Sequence, residues 1–344
     1  MATIGVGRLP ALHRPRITLS LKPTVPRGSL RSDLLSAVAT KRVTEALHHD
    51  GLRIDIGATT LNVRGNAPRL AQQLQAVYPH FPFEVDGEWA DIHGRVDRAT
   101  GVRRWLRPQV VMSSDGRVLF EPFPADTALP LLEWGCNWLI GQQLNHLLLF
   151  HAGVLERDGL VLVLPAMPGS GKSTLSAALS RRGWRLLSDE FGAFDPVEGH
   201  FMAMLKPVAL KNESINVIRS FAPEAHIGPE FPRTRKGTVA HLAADADAVQ
   251  RRHEPALPGA IVLPRWQNGS PTVGSQLKPH SAFSALAFNA FNYQVLGEQG
   301  FESVVGIARQ CRAWELVYSD LDEAVGTIER NWLAEVVPDR RPTC

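Results

Sequence analysis

The stretch from Gly159 to Glu190 constrains the fold most, because it changes character three times in quick succession. Gly159-Leu160-Val161-Leu162-Val163-Leu164-Pro165 is apolar throughout and of strand length, the pattern of a strand buried on both faces. It runs straight into a glycine-containing loop, Ala166-Met167-Pro168-Gly169-Ser170-Gly171-Lys172-Ser173. A helical run over Ser173 to Arg182 follows and is stopped by Gly183. Trp184 to Ser188 is a second short strand, closing on Asp189-Glu190. Strand, loop, helix and acid-tipped strand is the order of nucleotide-binding α/β units, which makes α/β the expected fold class.

The loop fits the phosphate-binding pattern G-x-x-x-x-G-K-[ST] from Gly171 onward, with Ala166 where that pattern has its first glycine. Gly169 and Gly171 let successive backbone N–H groups turn toward phosphate oxygens, and the helix that follows adds the partial positive charge of its N-terminus. Residues Ala166, Met167, Pro168, Gly169, Ser170, Gly171, Lys172, Ser173 and Thr174 are therefore the expected ATP-binding segment. Lys172 would bridge the β- and γ-phosphates, and Ser173 would ligate Mg²⁺ through its hydroxyl. Asp189 and Glu190 stand where open α/β sheets bind ligands, one suited to accept a proton and the other to hold the cation. His151, just upstream, is a further candidate for acid–base work.

Around this unit the chain is ordinary. With 44% hydrophobic and 21% charged residues it resembles a globular protein, and no uninterrupted apolar run is long enough to span a bilayer. The nearest candidate, Leu129 to Phe150, carries six polar or charged side chains and reads as an amphipathic helix; Trp134 and Trp138, one turn apart on it, read as core anchors. A net charge of +3 with interleaved signs gives no reason to expect a nucleic-acid partner. Three widely spaced cysteines exclude a disulfide framework, and a reducing cytoplasm is the expected compartment, with no membrane partner.

Upstream, Arg53 to Gly57 and Thr60 to Arg64 alternate as a hairpin, Leu70 to Val77 reads as a helix, and further strands are expected at Phe83–Val85, Ala90–Ile92, Gln109–Met112 and Arg117–Phe120. A Pro-rich break at 121–126 ends this part. The expected organisation is a basic flexible extension over 1–30, a smaller N-terminal α+β domain with antiparallel strands over 31–127, and an ATP-binding domain over 128–335. Only seven of the 37 basic residues are lysine, and four of the seven, Lys172, Lys206, Lys211 and Lys236, fall between positions 172 and 236. Phosphoryl transfer needs cations around the moving group, so Lys206, Lys211 and Lys236 are candidate phosphate or substrate contacts, with Arg265 and Arg309 behind them.

His151-Ala152-Gly153-Val154-Leu155, the loop, and Arg182-Gly183-Trp184-Arg185-Leu186-Leu187-Ser188-Asp189-Glu190 together resemble the HPr kinase/phosphorylase family, in particular the bacterial branch called HprK-related kinase A. The resemblance extends through Glu133-Trp134-Gly135, Leu210 to Ile215, Lys236 to His241, and Phe291 to Phe301. It implies a PEP-carboxykinase-like P-loop kinase domain that uses ATP and Mg²⁺ to phosphorylate a hydroxyl, in the parent family a seryl hydroxyl on a carrier protein. Asp189 then matches the catalytic base, Glu190 a metal-side residue standing where the parent has Asp, and His151 a residue near the phosphates or the base. A protein substrate is the partner so implied, and kinases of this kind often form homo-oligomeric rings. Two other readings stay open: a nucleotide-sensing protein that transfers nothing, and a kinase for a small-molecule hydroxyl.

Overall fold

The computed structural model describes residues 33–85, 89–101, 106–167 and 169–337; the basic extension over 1–30, Pro168 and Cys344 lie outside them. From Asp33 the chain builds helices α1 (Thr40–His48) and α2 (Leu70–Val77) against a six-stranded sheet. Its strands are β1 (Leu52–Asp55), β2 (Thr60–Arg64), β3 (Ile92–Arg98), β4 (Gln109–Ser114), β5 (Arg117–Val118) and β6 (Phe123–Pro124). The order is β1-β2-β3-β4-β5, with β6 also on β4. The hairpin forms, Asp55 facing Thr60 across β1 and β2. Asp115 and Gly116, both at positive φ (48° and 75°), make the two-residue turn between β4 and β5.

Two expectations here need correction. Residues 83–85 form no strand, only an isolated bridge between Glu84 and Arg53. And β2 and β3 pair parallel, not antiparallel, because α2 is a crossover that brings the chain back in the same direction. The long helix, α3 (Ala128–Gln143), ends well before Phe150: Asn145 and His146 break it, and Leu148 to Phe150 begin the next strand. Gly135 lets α3 lie directly on the first sheet, since a Cβ there would stand 1.9 Å from the Met112 sulfur.

The second sheet follows. In chain order come β7 (Leu148–Arg157), β8 (Leu160–Pro165), helix α4 (Lys172–Ser180), β9 (Arg185–Ser188), β10 (Phe191–Asp195) and β11 (His200–Met202). A separate three-stranded sheet then forms from β12 (Val208–Lys211), β13 (Phe231–Thr234) and β14 (Gly237–Leu242), with α5 (Glu213–Phe221) between β12 and β13. After α6 (Ala246–Gln250), the chain returns to the second sheet with β15 (Leu257–Trp266), β16 (Val273–Gln276) and β17 (Arg312–Tyr318). Helices α7 (Pro279–Asn289), α8 (Tyr293–Gln310, kinked at Gly297) and α9 (Leu321–Asn331) follow, and a π-helical segment over Trp332–Val336 ends the described residues. The second sheet runs β11-β10-β7-β8-β15-β17-β16, with β9 also on β7.

All six residues of β8 are buried, as its unbroken apolar sequence requires. Buried side chains from Leu35 to Val336 form one apolar core that reaches all three sheets. The fold is thus mixed α/β. No helix among the described residues is long and apolar enough to cross a membrane.

Candidate active site

Strand direction builds the loop's surroundings. β8, β15 and β17 are parallel neighbours, so their last residues, Pro165, Trp266 and Tyr318, reach the same edge of the sheet. The loop that leaves β8 is tied there: Trp266 N–H donates to the Ser170 carbonyl at 2.9 Å, and the Tyr318 hydroxyl donates to the Gly171 carbonyl at 3.2 Å. Gly171 caps α4 with φ of 88°, and a Cβ on it would lie 2.5 Å from the Tyr318 oxygen. Only glycine satisfies both conditions. Gly169 shares the left-handed conformation at 88° and is exposed, while Ala166 is buried under the loop.

Lys172 opens α4 and is buried, its ammonium turned onto Asp189. It donates to the Asp189 carbonyl and stands 3.5 Å from Oδ1 of the same residue. What carries Asp189 to this point is a break in one strand. β9 and β10 lie end to end along β7, with Val154 opposite Ser188 and His151 opposite Phe191, and the two acids occupy the interruption between them. On its other side β7 pairs Ala152 with Pro165, the residue from which the loop departs. The loop and the acids therefore flank the same short segment of β7. Gly153 in that segment admits α4 closely, because a Cβ there would meet the Ser176 oxygen at 2.3 Å.

The two acids differ in electrostatic state. Asp189 is 4% exposed; burial pushes its carboxyl above the ordinary range, Lys172 pulls it down, Glu190 pushes it up, and the nearby Ser173 hydroxyl lowers it. Its Oδ2 is buried and has no hydrogen-bond partner. Glu190 is likewise desolvated, yet Lys172, Lys211, His151 and Lys206 outweigh that burial and hold its carboxyl below the usual range. His151 Nε2 lies 3.8 Å from a Glu190 oxygen. Burial and the Lys172 charge keep the His151 pKa below that of a free imidazole.

Asp189 and Glu190 also line a cavity of about 390 Å³. One wall comes from α3 (Pro130, Glu133, Trp134, Asn137, Trp138), and another from the third sheet with its approach and turn (Lys206, Lys211, Arg235, Lys236, His241). Phe123, Phe191 and Phe291 close it. No residue of the loop from Ala166 to Thr174 is in this lining. Asp189 thus faces two compartments, the loop through Lys172 and the cavity directly.

The three lysines singled out by sequence converge here, but not equally. Lys206 is buried and already paired: it lies 2.9 Å from Glu133 Oε2 and donates to Asn137 Oδ1 at 2.6 Å, while Glu133 also accepts from the Tyr78 hydroxyl at 2.6 Å. A free phosphate contact is therefore not available to it without breaking that network. Lys211 and Lys236 have no ion pair within the structure's salt-bridge distance among the described residues. Burial lowers the Lys211 pKa, Glu190 raises it, and the neighbouring Lys236 charge lowers it further. Arg265 is exposed on β15 beside the loop, and Arg309 lies at the end of α8, outside the cavity lining.

Sequence reading misplaced the tryptophans and missed two groups. Trp134 and Trp138 are 38% and 42% exposed; they form the cavity wall, with Phe120 stacked on Trp134 at 4.3 Å between centroids, and do not anchor the core. His241 is buried in the lining with Nδ1 unpartnered, and burial lowers its pKa to about 4. Glu133 was quoted only as part of a resemblance, since nothing local distinguishes it from a surface glutamate. No cluster of three or more His, Cys, Asp or Glu fit for a metal ion occurs among the described residues, so a cation at this site would share its coordination with a bound phosphate.

No family model matches the chain, and no curated protein matches it. Among solved structures, the HPr(Ser) kinase/phosphatase from Coxiella burnetii aligns over 54% of this chain and 98% of its own, at 12% identity and a TM-score of 0.24. So slight a likeness carries no argument about fold or function.

Proposed function

We propose that this chain is an ATP-dependent phosphotransferase that moves the γ-phosphoryl group to a hydroxyl presented in the cavity. The observation that carries the reading is the double exposure of Asp189, which touches the phosphate-loop lysine on one side and lines the cavity on the other. The resemblance of its motifs to HPr kinase/phosphorylase, which implies a PEP-carboxykinase-like P-loop domain, supports the same reading.

The residues fit the groups that the reaction needs. Gly169 and Gly171 would supply backbone donors at the start of α4, and Lys172 supplies the charge that would follow the β- and γ-phosphates once it leaves the Asp189 carbonyl. Ser173 and Glu190 would hold Mg²⁺, Glu190 because its carboxyl stays ionised among cations. The cation, when bound, supplies neutralisation of the phosphate charge. Asp189 is the better proton acceptor, since burial raises its pKa and Oδ2 is unengaged. The acceptor oxygen bonds to the γ-phosphorus, the bond to the β–γ bridging oxygen breaks with its electron pair leaving on ADP, and the hydroxyl proton passes to the Asp189 carboxylate. His151 positions Glu190 from the next residue pair of the sheet.

Calorimetry with Mg-ATP tests the loop, and Lys172→Met should weaken binding at least tenfold; unchanged affinity would overturn the assignment. Asp189→Asn should leave ATP affinity within about threefold and lower transfer of labelled phosphate by 10²-fold or more, the scale of a lost general base. Retained transfer would remove Asp189 from that role. ATP binding without transfer to any component of a cell lysate would favour a nucleotide sensor instead.

A further inference from the structure

The cavity beyond the acid pair is a half-open pocket of small-molecule size, and we infer that the acceptor is a small hydroxyl-bearing anion with a flat apolar body. The inference rests on the phosphotransferase reading and names its substrate class. A volume of about 390 Å³ falls within the range of small-ligand pockets, which are commonly about 300–1,000 Å³. Trp134, Trp138 and Phe291 give it a wall of aromatic faces, and Phe120 braces Trp134 and Trp138 from behind at 4.3 and 5.8 Å. A planar ring or chain laid against that wall would use its aromatic faces.

The charge arrangement selects an anion. Four cations (Lys206, Lys211, Arg235, Lys236) and three acids (Glu133, Asp189, Glu190) line the space. Lys206 and Glu133 cancel within their own ion pair, and Asp189 faces Lys172. Glu190 is then left against Lys211, Lys236 and Arg235. Lys211 and Lys236 line the same space as like charges, and a carboxylate or phosphate bound beside them relieves their repulsion. Buried His241 adds a neutral ring whose Nδ1 lacks a partner. Both lysines line this space, which no described residue of the loop does.

The test uses the full chain, [γ-³²P]ATP with Mg²⁺, and a cell extract filtered to below about 1 kDa, which anion exchange at pH 7.5 divides into a retained anionic pool and a neutral or cationic flow-through. The expected result is label on a compound from the anionic pool. Lys236→Met, a substitution of an exposed side chain, should raise the acceptor concentration for half-maximal rate at least tenfold at saturating ATP. Label confined to the flow-through pool would overturn the anionic class. Transfer only to components of the unfiltered protein fraction would overturn the small-molecule class while sparing the phosphotransferase reading. ATP binding with no label in any fraction would sink that reading as well. A tenfold loss of ATP affinity in Lys236→Met, read by calorimetry, would place Lys236 on the nucleotide and overturn its role here.

Discussion

At the scale of single residues, the cavity collects groups whose ionisation the fold has displaced. His241 is the clearest: an ordinary imidazole near 6.5 is lowered to about 4 by burial. The unfolded chain therefore takes up a proton before the folded one does, and stability contributed by the neutral ring, complete above pH 6.5, is lost as pH falls toward 4. By pH 5 the loss is about 2 kcal/mol. Urea midpoints should accordingly drop between pH 7 and pH 5 and drop distinctly less in His241→Asn; equal drops would mean that other groups set the acid limit. Glu190, with its carboxyl held low, acts only further down, below the pH at which an unfolded glutamate takes up its proton. The presence of Lys211 and Lys236 together at the cavity was foreshadowed in the sequence, where lysine is scarce and four of seven fall between positions 172 and 236. The pairing of Lys206 with Glu133, 73 positions away, was not legible, since neither partner carries a local sign of the other.

Among the elements, the strand–loop–helix unit could be read directly, because an apolar run, two glycines and a stopping glycine are local signals. The exposure of Trp134 and Trp138 could not. α3 is buried over most of its circumference, with ten of its residues buried, so the spacing of its apolar positions does not say which side meets the cavity. The parallel convergence of Trp266 and Tyr318 beneath the loop also depends on strand order, which no single segment encodes. One contact between elements is open to test. Gly153→Ala would press a methyl group against Ser176 of α4, and such overpacking costs about 1–3 kcal/mol. Chemical denaturation should show that loss, and the double variant with Ser176→Ala should recover most of it. Failure of the second change to help would mean that α4 is not seated on β7 at that point.

For the whole molecule, the chain from Tyr78 through Glu133 to Lys206 joins the first sheet's layer to the segment that enters the third sheet. Glu133→Leu should destabilise by about 3–5 kcal/mol, because it leaves a buried ammonium without its carboxylate. Adding Lys206→Met should restore a large part in urea unfolding; additive losses would show that the two side chains act independently. The loop and the acid pair stand in another relation. Both are hung on β7 by main-chain hydrogen bonds, one on either side, and strands sit about 4.8 Å apart whatever side chains they carry. β7 is therefore a ruler between the two compartments. Substitutions in the aromatic and cationic walls can change what enters the cavity while leaving that spacing untouched. Only a slip of register would alter it, so the lining is free to diversify around a constant gauge.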